Sequence, residues 1–180
     1  MILYHGTRIS KDKIMKEGLK RPNYEKIIDE TLAKYGYTKE QIPEWIWKLE
    51  LQYRLEEYKE FSPTFRPYLA FTLNYEQAKN YAFMGGEFEY ILIYRLFLWK
   101  TKNPHFAEKK AIEGRGKPKV VIADIPTDWI PSKILEQIKA IEKAGYDPHT
   151  FTWNIPIFSD VPVAMIVRIE QINLEREHIK

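Results

Sequence analysis

The residues with the most chemical potential stand at the start of the chain. His5 ends an apolar, β-prone run, Ile2-Leu3-Tyr4, and Gly6 and Thr7 follow it. An imidazole there can bond a hydroxyl or carry a proton near neutrality. A glycine beside it has no Cβ, so a partner can approach its main chain closely. A second group, Tyr68, Ala70 and Thr72, alternates along one face of a short extended segment, and Tyr81 lies on the helix expected after it. A third lies near the end, in Asp160-Val161-Pro162-Val163-Ala164-Met165-Ile166. A lone histidine at a strand end is more often packed than chemically active, so the case rests on whether the other residues join it.

Local signals define the elements that must position these residues. After His5-Gly6-Thr7, Ser10 suits an N-cap, Asp12 the first turn, and Ile9 with Ile14 a hydrophobic staple; Gly18 and Leu19 close that helix. The segment Arg66 to Thr72 reads as a strand. Asn74 then caps a helix running to Met84, with Gln77 in the capping-box position and Ala78, Tyr81 and Ala82 on one face.

Asn23 to Glu60 looks like an insertion, with one helix capped by Asn23 and stopped at Gly36 and a second from Pro43 to about Lys59. The second carries two apolar stripes, Ile42, Trp45, Ile46, Leu49 and Tyr53 on one side and Trp47, Leu51, Leu55 and Tyr58 on the other. Such a helix is buried on both sides, or buried on one and offered to a partner on the other.

Phe88 to Trp99 predicts a central strand, and Lys100 to Lys119 a loop with a basic cluster of Lys109, Lys110, Arg115, Lys117 and Lys119. That cluster either holds phosphates or is a solvated surface. Lys119 to Ile125 reads as a strand, Ser132 to Gly145 as a helix, and Ile155 to Phe158 and Pro162 to Leu174 as extended pieces. Strands without regular helix alternation predict an α+β class with mainly antiparallel strands.

With 180 residues and 44% hydrophobic residues the chain can bury a substantial core, and a single domain carrying an insertion at about 23–60 is expected. The absence of cysteine excludes disulfides and thiolate metal sites, and four scattered histidines give no zinc spacing. No apolar run reaches membrane-span length and no signal peptide is apparent, so a cytoplasmic protein without a membrane partner is expected. Charge is too balanced, 28 basic against 25 acidic residues, to imply nucleic acid by itself.

Taken in order, Tyr4-His5-Gly6-Thr7 with its Gly18-Leu19 helix end, Tyr68–Thr72 with Asn74–Tyr81, and Asp160–Ile166 resemble the blocks of the ADP-ribosyltransferase superfamily of the His-Tyr-Glu type, which includes diphtheria toxin and the poly(ADP-ribose) polymerases. The resemblance touches about a third of the chain, and its first block is the most specific. It implies a split β-sheet core with flanking helices and NAD, as substrate, in the cleft between two small sheets. His5 would bond ribose hydroxyls, the Gly6 backbone would hold the nicotinamide amide, and Thr7 would lie by the ribose. Tyr81 would stack under the nicotinamide ring, with Tyr68, Ala70 and Thr72 lining the site and no metal required.

The implied activity is mono-ADP-ribosyl transfer from NAD to a protein or nucleic-acid target with nicotinamide release, as in a toxin or defence effector. An inhibitor or antitoxin would then dock on the 42–58 helix. Two positions depart from the family pattern. Spacing back from Tyr81 puts Ala70 where relatives carry the second tyrosine, with Tyr68 two residues earlier as a substitute. Ala164 stands where relatives often carry a glutamate, and Glu170 lies too far along to replace it. Either the natural protein lacks the acid and is a weak or substrate-assisted transferase, or it lacks the acid and merely binds, or this sequence carries an inactivating Glu to Ala change at a natural glutamate. The alternatives are an RNA 2′-phosphotransferase-like enzyme, for which Arg66 is the one suggestive match, and a non-catalytic module that binds NAD or protein.

Overall fold

The computed structural model describes residues 1–61 and 67–173, apart from the side chains of 57–61 and 84. The first half runs β1 (Ile2–Thr7), α1 (Lys11–Glu17), α2 (Tyr24–Lys34), α3 (Lys48–Phe61), β2 (Leu69–Phe71) and α4 (Tyr75–Met84). The second runs α5 (Glu87–Thr101), α6 (Pro104–Gly114), β3 (Lys119–Asp124), α7 (Ser132–Lys143), β4 (Ile155–Ile157) and β5 (Ile166–Gln171). Among the described residues helix makes up 55% and strand 17%, so the fold is mixed α and β, with two small antiparallel sheets.

The chain divides into two compact units. One comprises Met1–Lys20, Tyr68–Gly85 and Lys117–Lys180; the other comprises Arg21–Pro67 and Gly86–Gly116. The first holds both sheets, a three-stranded sheet in the order β1-β3-β5 and a two-stranded sheet of β2 and β4. His5 lies opposite Val121 and Gly6 opposite Val120. Glu170 is in turn opposite Val120 on β5. The Leu3, Val121 and Ala123 face joins a core with Ile14, Leu19, Phe71, Ile155 and Val161.

The second unit is helical. Asn23 caps α2 as expected, its side chain accepting from the Lys26 amide, and Gly36 beyond the helix has a φ of 79°. The segment expected as one helix from Pro43 is instead a 3₁₀ turn, Glu44–Ile46, followed by α3 from Lys48. The stripes divide accordingly. Ile42, Ile46 and Leu51 are buried, while Trp45, Leu49, Tyr53 and Leu55 are exposed. The side chain of Tyr58, Arg66 and the Leu174 end of the last extended piece lie outside the described residues.

Two expectations are overturned in this unit. Phe88 to Trp99 is not a central strand but the body of α5, which buries Phe88, Leu92, Ile93 and Leu96. A run that is apolar almost throughout suits a helix packed on several sides as well as a strand, and its length of 15 residues decides for helix. Left-handed caps at Gly86 and Lys102 end it on both sides. The expected loop contains α6, started by Asn103, whose side chain accepts from the Phe106 amide, and by Pro104 in the first turn.

Candidate active site

The candidate site is built where β1 meets β2. Tyr4 and Thr72 form an isolated antiparallel bridge, with both main-chain hydrogen bonds at 2.9 Å. Continued in register, that bridge would pair Gly6 with Ala70. Instead the Ala70 carbonyl is taken by the His5 imidazole, Nδ1 to oxygen 2.8 Å, and the strands part. In an antiparallel strand the N–H and C=O of alternate residues point to the same edge. Those of Tyr4 point to Thr72, so those of Gly6 point toward β2, past the last bridge between the two strands.

A carbonyl can only accept, so Nδ1 of His5 carries the proton and Nε2 is left as an acceptor. The ring lies against Phe71 with centroids 5.1 Å apart. Burial favours the neutral imidazole and holds the His5 pKa below its ordinary value, partly offset by the bond to Ala70. Thr7 is buried, and its hydroxyl accepts from the Ile9 amide at 3.3 Å.

The close approach anticipated at Gly6 is made by the chain itself. A Cβ there would overlap the Ala78 carbonyl oxygen and the Ala82 amide nitrogen, and would come within 2.8 Å of the Tyr81 carbonyl carbon. Ala78 and Ala82 are fully buried. The small face of α4 therefore seats on β1 at Gly6, and Tyr81 stands beside that glycine.

Gln77 organises what surrounds Tyr81, a role the capping-box spacing did not reveal. The Asn74 side chain accepts from the Gln77 amide at 3.0 Å as expected. The Gln77 carboxamide, however, does not return to Asn74. Its Oε1 accepts from the Trp153 amide at 2.8 Å and from the Thr72 hydroxyl at 2.5 Å. Its Nε2 donates to the Trp153 carbonyl at 2.9 Å and to the Tyr81 hydroxyl at 2.6 Å. All four bonding positions of the amide are used. Tyr81 accepts here, so its own proton is left for another acceptor. Thr72 is fully buried, its hydroxyl also accepting from the Asn74 amide at 3.0 Å.

The remaining positions take no part in these hydrogen bonds. Tyr68 packs edge-on against Phe158, ring centroids 5.8 Å apart, and its hydroxyl accepts from Asn154 at 3.4 Å. Ala164 is exposed on a 3₁₀ turn, Val163–Met165, that precedes β5. The extended piece expected from Pro162 thus begins only at Ile166, so Ala164 and Glu170 share no strand parity. That turn is nonetheless tied to the first block. Leu19 and Val161 exchange main-chain bonds of 2.8 Å, and Gly18 sits at φ 75° where a Cβ would overlap the Val161 carbonyl.

Glu170 is engaged elsewhere. Its carboxylate accepts from the Tyr75 hydroxyl and pairs with Arg168 at 2.8 Å, and burial together with that carboxylate raises the Tyr75 pKa to about 12. Among the described residues no cluster of His, Cys, Asp and Glu is placed to hold a metal, and no helix is long and apolar enough to cross a membrane. No protein-family model, curated protein or solved structure matches the chain.

Proposed function

We propose that the chain is a NAD-dependent mono-ADP-ribosyltransferase whose nicotinamide subsite is the gap between β1 and β2. The observation that supports this reading is the interrupted ladder. The bridge at Tyr4–Thr72 stops, His5 caps Ala70, and the main-chain N–H and C=O of Gly6 point toward β2 past that bridge, beside Tyr81.

A primary carboxamide is the complement of that edge, since its carbonyl accepts from an N–H while its NH₂ donates to the neighbouring C=O. The pyridinium ring is cationic, and an aromatic face such as Tyr81 attracts it by about 0.5–2 kcal/mol, depending on desolvation. Neutral His5 offers Nε2 to a ribose hydroxyl. Loss of nicotinamide leaves an oxocarbenium-like ribose, which a carboxylate stabilises, as in glycoside hydrolysis. Ala164 supplies none, so this sequence binds NAD and cleaves it slowly.

The test compares the chain with Ala164→Glu in a cell extract that supplies targets, following nicotinamide release. Restoring the acid should raise release by about two to three orders of magnitude, the usual scale of a lost charge-stabilising group. Nicotinamide should compete with NAD while nicotinic acid, whose carboxylate would face the Gly6 carbonyl, should not. No release by Ala164→Glu despite NAD binding would make the chain a binding module. No NAD binding at all would end the reading.

A further inference from the structure

We propose that Lys119 and Arg8, at the Thr7 end of the β1–β3 ladder, form a binding site for a phosphate oxyanion. Lys119 lies directly opposite Thr7 in the register. It is buried to 7% exposure, an unusual position for a lysine. One ammonium proton goes to the Lys117 carbonyl at 2.8 Å. Among the described residues no carboxylate lies within ion-pair distance of it. Arg8 follows Thr7, and its Nη2 donates to the Phe83 carbonyl at 2.8 Å in the last turn of α4. Gln171 is opposite Lys119 on the other neighbouring strand, its Nε2 donating to Asn173 at 3.5 Å.

A buried ammonium is costly when it lacks a counter-charge. Here the cost is compounded, because burial and then the nearby charges of Arg8 and Lys117 hold the Lys119 pKa below its ordinary value. An oxyanion between Lys119 and Arg8 turns that repulsion into two attractions and takes up the lysine protons that the Lys117 carbonyl does not. Phosphate has the charge and the several acceptor oxygens such a site needs. Thr7 lies two residues beyond His5, so a diphosphate joined to a ribose held at His5 is one source. That part alone rests on the NAD reading.

Calorimetric titration of the full chain with sodium pyrophosphate, NAD and nicotinamide riboside, the last carrying no phosphate, tests this. Pyrophosphate should bind, more weakly as salt rises. Lys119→Met, which keeps the buried stem, and Arg8→Gln should each weaken it by about tenfold or more, the scale of one charged hydrogen bond. Nicotinamide riboside should bind both variants as it binds the original chain. A melting curve for each variant separates lost binding from lost folding, and Arg8→Gln, changed at a partly exposed residue, serves if Lys119→Met does not fold. Pyrophosphate uptake that depends on Lys119 without any NAD binding would keep the anion site and discard the NAD reading. Absence of pyrophosphate binding, or equal binding by folded variants, would overturn the proposal.

Discussion

Gly6 and Gly145 separate two reasons for a glycine. Gly6 is held by contact, since any Cβ meets the backbone of α4 at Ala78, Tyr81 and Ala82, which cannot rotate away. Gly145 is held by conformation, with φ at 84° and open space within 4 Å. Gly6→Ala should therefore cost about 3 kcal/mol or more, as overpacking does, and Gly145→Ala about 1 kcal/mol. Urea unfolding of both variants checks the order; equal losses would mean that α4 does not press on β1 at Gly6.

His5 gives a second prediction at this scale. Its folded pKa lies below the ordinary 6.5 because burial disfavours the imidazolium. Between those two values the unfolded chain binds more protons than the folded one, so stability rises with pH across that interval. Acidification from pH 7.5 should thus begin to lower the melting temperature near pH 6.5, with the fall levelling off once the folded form is also protonated. His5→Gln should flatten that part of the profile, and an unchanged slope would show that other groups carry it.

At the scale of elements, caps and turns were the most legible features. Ser10, Asn23 and Asn74 each accept from the amide three residues on, and Gly18 and Gly36 take the positive φ expected of helix ends. These signals are local, so the sequence alone carries them. The α5 run reads as a strand because its apolar residues show no period, and only the fold decides which sides are covered. The same limit hid Gln77. Its spacing from Asn74 fits a capping box, but its side chain is claimed by Thr72 and by Trp153, 76 positions away. The Tyr4-His5-Gly6-Thr7 block could be picked out from residue types, whereas the parting of β1 from β2 depends on a bond between His5 and Ala70, 65 positions apart.

Gln77 ties β2, the Trp153 segment and α4 together, so its replacement should reach all three. Gln77→Met preserves volume but leaves the Trp153 amide and carbonyl and the Thr72 hydroxyl short of partners, at about 1–3 kcal/mol for each group that water cannot reach. We expect a lower melting temperature and, in an Ala164→Glu background, a weaker apparent affinity for NAD as Tyr81 loses its tether. Gln77→Glu keeps the acceptor oxygen and should recover part of the stability but set a carboxylate oxygen against the Trp153 carbonyl. A Gln77→Met chain as stable as its parent would remove Gln77 from this role.

For the whole molecule, the segment that looks like an insertion is not an appendage that can be removed. Ile28, Leu32, Ile42, Ile46 and Leu51, all from that segment, share one hydrophobic cluster with Phe88, Leu92 and Leu96 of α5. Glu50, buried at 7% exposure, sits beside Arg54 at 3.3 Å and Arg95 of α5 at 3.8 Å. Replacing 23–60 by a short linker would strip both from α5. Re-exposing its three cluster side chains costs about 1.5–3 kcal/mol each, a sum comparable to the whole stability of a typical domain, about 5–15 kcal/mol. The shortened chain should therefore aggregate or bind a hydrophobic dye, and should lose the cooperative melting transition of the parent. A monomeric product that melts as the parent does would show that α5 needs no cover from this segment. In that case Trp45, Leu49 and Tyr53, which are exposed on it, would belong to an accessory element and not to a cover for the core of the helical unit.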